Sequence, residues 1–208
     1  MVFDFSKTFK TYDAKTYKKE DFTGTRCPRC YAAGRFKLHG SYRRHAAYWH
    51  MSKITCEFME IKRIKCLSCK TTHAVMPGDL IPYKLLSLFI VLFILGLFYL
   101  EGEPVLKIAE AGGFSFQFIY SALYAYRKHA SGISQYFREA SAGDVPPTLD
   151  DAGIVSLIRE PFLEFQSGYI ELNKRPCFMC KFFNSAKAPP IGRLAPIPPP
   201  VGSNITLE

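Results

Sequence analysis

Hydrophobic and polar positions follow two rhythms along this chain. From residue 54 to residue 76 the spacing is that of strands. Ile54, Cys56 and Phe58 recur at every second position, Ile64 and Cys66 continue a second such face, and Thr71 to Met76 reads as a third strand. Met76-Pro77-Gly78-Asp79 breaks the pattern as a turn. From residue 82 the rhythm becomes helical. A nearly continuous apolar helix is expected over 82–100, with Pro82 at its start and Glu101-Gly102-Glu103-Pro104 closing it. A short helix follows over about 104–111, then a Gly112-Gly113 turn, then a helix over about 115–130 with Ser115 as N-cap. One more helix is expected over 150–166, interrupted near Pro161.

The fold class is therefore α+β: an N-terminal β ribbon, an α-helical helix-turn-helix unit and a partly irregular C-terminal tail. The boundaries are a polar leader arm at 1–25, the ribbon at 26–80 and the helical unit at 81–130. A linker with a small helical segment and a CxxC occupies 131–188, and a Pro-rich flexible tail 189–208, where six prolines fall within 189–200.

Cysteine spacing changes the picture most. Six of seven cysteines form CxxC pairs, at Cys27/Cys30, Cys66/Cys69 and Cys177/Cys180. No signal peptide opens the chain, so these pairs read as metal ligands before disulfides, in a cytoplasmic setting. The first two pairs are separated by 35 residues, longer than the usual zinc-ribbon gap but suited to a long hairpin with an insertion around His45 to Met51. Four thiolates close a tetrahedral shell, so Cys27, Cys30, Cys66 and Cys69 are expected to hold one structural Zn2+ with no open catalytic position. A redox role is not expected, since no βαβ pattern surrounds either pair. Cys177/Cys180 supplies half a site. A second metal or redox pair, completed by histidines, Cys56 or a second protomer, stands against plain partly buried thiols.

Charge gives the partner class. The net charge is +9, and it is unevenly placed: residues 1–84 hold 17 Lys/Arg against 7 Asp/Glu, and residues 85–208 hold 10 against 11. A basic N-terminal part points to nucleic acid or an anionic surface. Arg43, Arg44, Lys62, Arg63 and Lys65 are the candidate phosphate contacts. In the helical unit, Ile108, Phe114, Ile119, Ala122 and Leu123 are the expected anchors. The outward face would carry Ser115, Gln117, Tyr120, Ser121, Tyr124, Arg127 and Lys128, types that read base edges and hold phosphates. Leu85 to Leu100 is a 16-residue run without charge, short of a bilayer span, and is read as a core helix.

The order of ribbon, Pro-Tyr entry, hydrophobic helix and helix-turn-helix, carried by Cys27, Cys30, Gly40, Arg63, Cys66, Cys69, Pro77, Pro82-Tyr83 and Ile108 to Tyr124, resembles the N-terminal DNA-binding region of bacterial insertion-sequence transposases and related small proteins. The resemblance implies double-stranded DNA as partner and a nucleoid-associated location. Such transposases also carry a nuclease-like domain with three metal-holding carboxylates. Only 78 residues follow residue 130, and Asp144, Asp150 and Asp151 cluster on a loop. The expectation is therefore a non-enzymatic accessory factor or regulator of a mobile element, with a transposase or other protein, or a second copy of itself, as further partner. The rival readings are a protein-interaction adaptor with structural zinc and a single-pass membrane protein with a cytoplasmic ribbon.

Overall fold

The computed structural model describes residues 1–50, 53–140, 150–159, 162–173 and 177–178. Cys180, Asp144 and the Pro-rich segment 189–208 lie outside the described residues. The chain is mixed α and β, with one four-stranded sheet and five helices among the described residues. The strands are β1 (Val2–Asp4), β2 (Phe36–His50), β3 (Lys53–Cys66) and β4 (Thr72–Pro77), in sheet order β1-β4-β3-β2.

β2 and β3 form an antiparallel hairpin from Phe36↔Cys66 to His50↔Lys53. At about 3.3 Å per residue, the 15 residues of β2 reach roughly 50 Å. The insertion expected around His45 to Met51 is absent in its expected form, because residues 45–50 continue β2. One irregularity interrupts the pairing. Leu38 faces Ile64 and Ser41 faces Lys62, so β2 carries one extra residue there. Gly40, at φ 76°, takes the left-handed conformation that such a bulge requires.

The bulge matters because the sheet buries apolar residues on both faces. Phe36, Ile64, Cys66 and Val75 pack with Cys27, Tyr17 and Phe22 on one face. Met59, Ile61 and Met76 pack with Ala46 and Leu80 on the other. The predicted face of Ile54, Cys56 and Phe58 is a strand, but not its buried side: Phe58 is 64% exposed, and Met59 and Ile61 carry the core. Alternation in the sequence names a strand without saying which parity meets a neighbour.

Residues 1–25 are not a detached arm. β1 pairs in parallel with β4, and Tyr17 and Phe22 are buried in the ribbon's core. Tyr12 closes a gap between strands. The β3–β4 ladder stops at Arg63↔Ala74. Beyond it the Tyr12 hydroxyl accepts from the Lys62 N–H at 2.9 Å and donates to the Val75 carbonyl at 2.7 Å. Two ladder groups that would otherwise be unpaired are thereby satisfied.

The helices are α1 (Leu88–Tyr99), α2 (Val105–Gly112), α3 (Phe116–Ala140), α4 (Asp151–Arg159) and α5 (Phe162–Asn173). α1 starts six residues later than the apolar run implies. The cause is a long-range contact: Ala47 bridges Leu86, the Ala47 N–H donates to the Leu85 carbonyl at 2.8 Å, and the Ser87 N–H donates back to Ala47 at 3.2 Å. Residues 85–87 are thus held against the hairpin and cannot join the helix. α1 packs against β2, α2, α3 and α4, which explains a helix that is apolar nearly all round, with Ile90, Ile94 and Leu95 fully buried. Among the described residues no helix is long and apolar enough to cross a membrane.

α3 also departs from expectation, running ten residues past its predicted end at 130. Gly132 does not break it, because the Tyr169 hydroxyl of α5 packs where a side chain would stand, 2.9 Å from an ideal Cβ. The interruption expected near Pro161 falls between α4 and α5 as predicted.

Candidate metal centre and helical surface

The two cysteine pairs are built to one plan. In the first, the Cys27 N–H donates to the Ala32 carbonyl at 3.0 Å; in the second, the Cys66 N–H donates to the Thr71 carbonyl at 2.9 Å. In both, the residue after the second cysteine is left-handed, Tyr31 at φ 59° and Lys70 at φ 60°. Glycine normally takes such a position, and side chains there store strain. Two strained turns of the same shape, each facing the other, are the local signature of paired metal knuckles.

The sulfurs converge accordingly. Cys27, Cys30, Cys66 and Cys69 have their Sγ atoms within 4.8 Å of one another. Cys27 to Cys69 and Cys30 to Cys66 are each 3.7 Å. A tetrahedron with metal–sulfur bonds of about 2.3 Å has edges of about 3.8 Å, so the spacing fits an ion at the centre. None of these cysteines is in a disulfide.

Backbone and side-chain donors prepare the thiolates. Thr71 hydrogen bonds hold the Cys69 thiol down at about 6. Amides of Cys69 and Ser68 lower Cys66. At Cys30 the Ala32 amide favours the thiolate, but burial and the neighbouring thiols together push it up to about 11. Such a division is what four crowded thiols give without a counter-ion, and a divalent cation would relieve it.

His73 is a participant that the sequence reading missed. Its Nε2 lies 3.3 Å from the Cys27 sulfur, and its ring meets Phe36 edge-on at 6.2 Å. Burial, then nearby positive charge, lowers its pKa and favours the neutral ring beside the sulfur. The available signal was strand parity, since His73 faces Ile64 across β3–β4 and so stands on the cysteine face. Among the described residues the four cysteines form the one metal-capable His/Cys/Asp/Glu cluster. Cys177 lies fully buried in the helical core, where its N–H donates to Gln166.

The five candidate phosphate contacts do not share a surface. Register places Arg43 and Lys62 on the cysteine face, with Arg63 and Lys65 on the opposite one. Arg44 is engaged within the chain. Its guanidinium donates to the Ile81 and Lys84 carbonyls and approaches the Met76 sulfur, and burial lowers its pKa. It fastens the ribbon to the segment leading into α1.

The helical surface is better preserved. Gly113 is left-handed at φ 62° and caps α2, while Phe114's ring packs so closely over Gly112 that a Cβ there would overlap it. The Ser115 carbonyl and hydroxyl accept from the Phe118 N–H at 2.9 and 3.4 Å, as an N-cap does. Ile108, Phe114, Ile119, Ala122 and Leu123 are all buried. Gln117, Arg127 and Lys128 are exposed, and Tyr120 is half-buried. Ser121 instead accepts from Lys84 at 2.9 Å, and Tyr124 packs partly on the core beneath Lys128.

The site therefore defines a four-cysteine, metal-capable ribbon joined to a helical unit. Residues 27–95, which hold all four ligands, the hairpin and the start of α1, match the family described as a domain of unknown function (DUF6431). No curated protein and no solved structure matches the chain.

Proposed function

We propose that this protein binds duplex DNA, with one zinc ion at Cys27, Cys30, Cys66 and Cys69 serving only to fold the ribbon. On this reading α3 enters the major groove with Ser115, Gln117 and Tyr120 toward the bases and Arg127 and Lys128 on the backbone. Arg43 and Lys62, or Arg63 and Lys65 from the other sheet face, add phosphate contacts. The observation that carries the reading is uncompensated charge. Among the described residues the one ion pair joins Lys107 to Glu103, outside the basic part of the chain, and no described basic side chain before Lys84 has such a partner. A surface that leaves its cations unpaired is suited to a polyanion. The resemblance to mobile-element proteins makes an accessory factor or regulator the role, with the nucleoid as location.

The test is fluorescence anisotropy of zinc-loaded protein with random-sequence duplex at about 50 and 200 mM salt. Affinity should fall by orders of magnitude across that range. Absence of binding at the lower salt would overturn the proposal. Gln117→Ala should alter sequence preference, whereas Arg127→Ala should weaken all sequences alike.

A second reading is favoured by one observation. Leu106, in the first turn of α2, is 58% exposed, and Phe116, the first residue of α3, is 50% exposed. Apolar groups there suit a protein partner. That reading predicts capture of a partner with little dependence on salt, and the same titration separates the two.

A further inference from the structure

We propose that the sheet face opposite the metal cysteines is a platform for single-stranded nucleic acid, formed by Lys37, Lys65, Arg63, Tyr42 and Tyr83. The proposal rests on the nucleic-acid reading above but assigns the sheet face that carries Arg63 and Lys65, rather than α3, to a different form of the ligand.

The register makes the platform. Lys37 stands directly opposite Lys65, and Arg63 follows two residues along β3 on the same face. The bulge at Gly40 then shifts β2 by one residue, so Tyr42, opposite Ile61, joins that face. Without the extra residue Tyr42 would point to the cysteine side. On the neighbouring strand the partners of Lys65 and Arg63 are Thr72 and Ala74, both short side chains. Lys37 is exposed, Lys65 and Arg63 are half-exposed, and Tyr42 and Tyr83 are 39% and 56% exposed.

Two features point to the ligand. Like charges directly across an antiparallel pair repel each other, and among the described residues no carboxylate forms an ion pair with this group. The repulsion is relieved by a bound anion. The second feature is the tyrosines. Arg63, Arg44 and Tyr83 all lie within electrostatic reach of the Tyr42 hydroxyl, which burial holds above its ordinary pKa. Arg63 and the two part-exposed tyrosines therefore lie close together. A duplex hides its base faces and would use only the cations. A single strand offers both phosphates and unstacked bases, and stacking on aromatic side chains is the general means of holding it.

The experiment compares labelled oligodeoxythymidylate of roughly 20 nucleotides with a duplex of equal length, using the full zinc-loaded chain. The wild type should bind both. Tyr42→Leu should weaken oligodeoxythymidylate about tenfold while duplex affinity changes less than about twofold, since stacking is lost and the phosphate contacts remain. Tyr83→Leu, at the more exposed ring, should act in the same direction and serves if the Tyr42 variant loses zinc or helicity. Lys37→Ala with Lys65→Ala should flatten the salt dependence for the single strand. Duplex binding without single-strand binding would overturn this proposal and leave the duplex reading intact. Single-strand binding indifferent to both tyrosine variants would also overturn it. Loss of binding to either form at low salt would overturn both.

Discussion

The ribbon and the helical unit solve the problem of cohesion differently. The ribbon splits its apolar residues between two thin clusters on opposite sheet faces, and at one end four cysteines converge in a cluster that could hold a metal. The helical unit gathers its buried residues into one contiguous core that runs from Ala47 through α1, α3, α4 and α5 to Phe178. A thin two-faced sheet cannot bury enough area per residue to hold long strands by itself. If the four cysteines take a metal, as proposed, ligation would supply in one place what packing supplies across the other region.

The sharpest way to break this comparison is to remove the metal. Chelation, or Cys66→Ser, should unfold the ribbon while leaving most helical signal in place, because structural zinc in small domains contributes apparent binding of about 10 kcal/mol or more. Circular dichroism with limited proteolysis would read this, and a single global unfolding event would show that the regions are not separable. Next in size, Ile94→Ala should cost about 2–5 kcal/mol by opening a cavity in the helical core, with zinc content unchanged. Denaturant melts with metal quantification would check both halves of that statement. Tyr12→Phe should cost the ribbon about 1–3 kcal/mol, since it orphans the Lys62 N–H and Val75 C=O. Hydrogen exchange should show the loss at Lys62 and leave α1 protected. Smallest, Tyr31→Gly should raise ribbon stability by roughly 0.5–1 kcal/mol by relieving left-handed strain. A thermal melt that moves downward would mean that Tyr31's side chain contributes more than its backbone costs.

The parts of this protein legible in the sequence are those set by local chemistry. Cysteine spacing named the four sulfurs that converge. Gly112-Gly113, Ser115 and the apolar anchors named the α2–α3 turn, and Pro161 marked the break before α5. What the sequence hid was decided by contacts far along the chain. The start of α1 depends on Ala47, about 40 residues earlier, whose backbone holds residues 85–87 extended. Arg44 and Arg43 look alike in the sequence, yet strand parity and the 81–84 loop turn one inward. Lys62 and Arg63 are neighbours that face opposite ways. His73 carried no motif at all, and only its position across from Ile64 brings it to Cys27.

The hairpin's pleat has a further consequence for how the hairpin of this chain could change in length. One end of β2 meets the cysteines through Phe36, and the other meets the helical core through Ala47. Side chains alternate, so adding or deleting one residue in each strand would turn Ala46 and Ala47 to the wrong sides and undo both attachments. Length can change only in steps of two residues per strand, about 7 Å at a time. The separation between the cysteine cluster and the helices is therefore quantised, and the bulge at Gly40 is the one place in β2 where an odd count has already been absorbed.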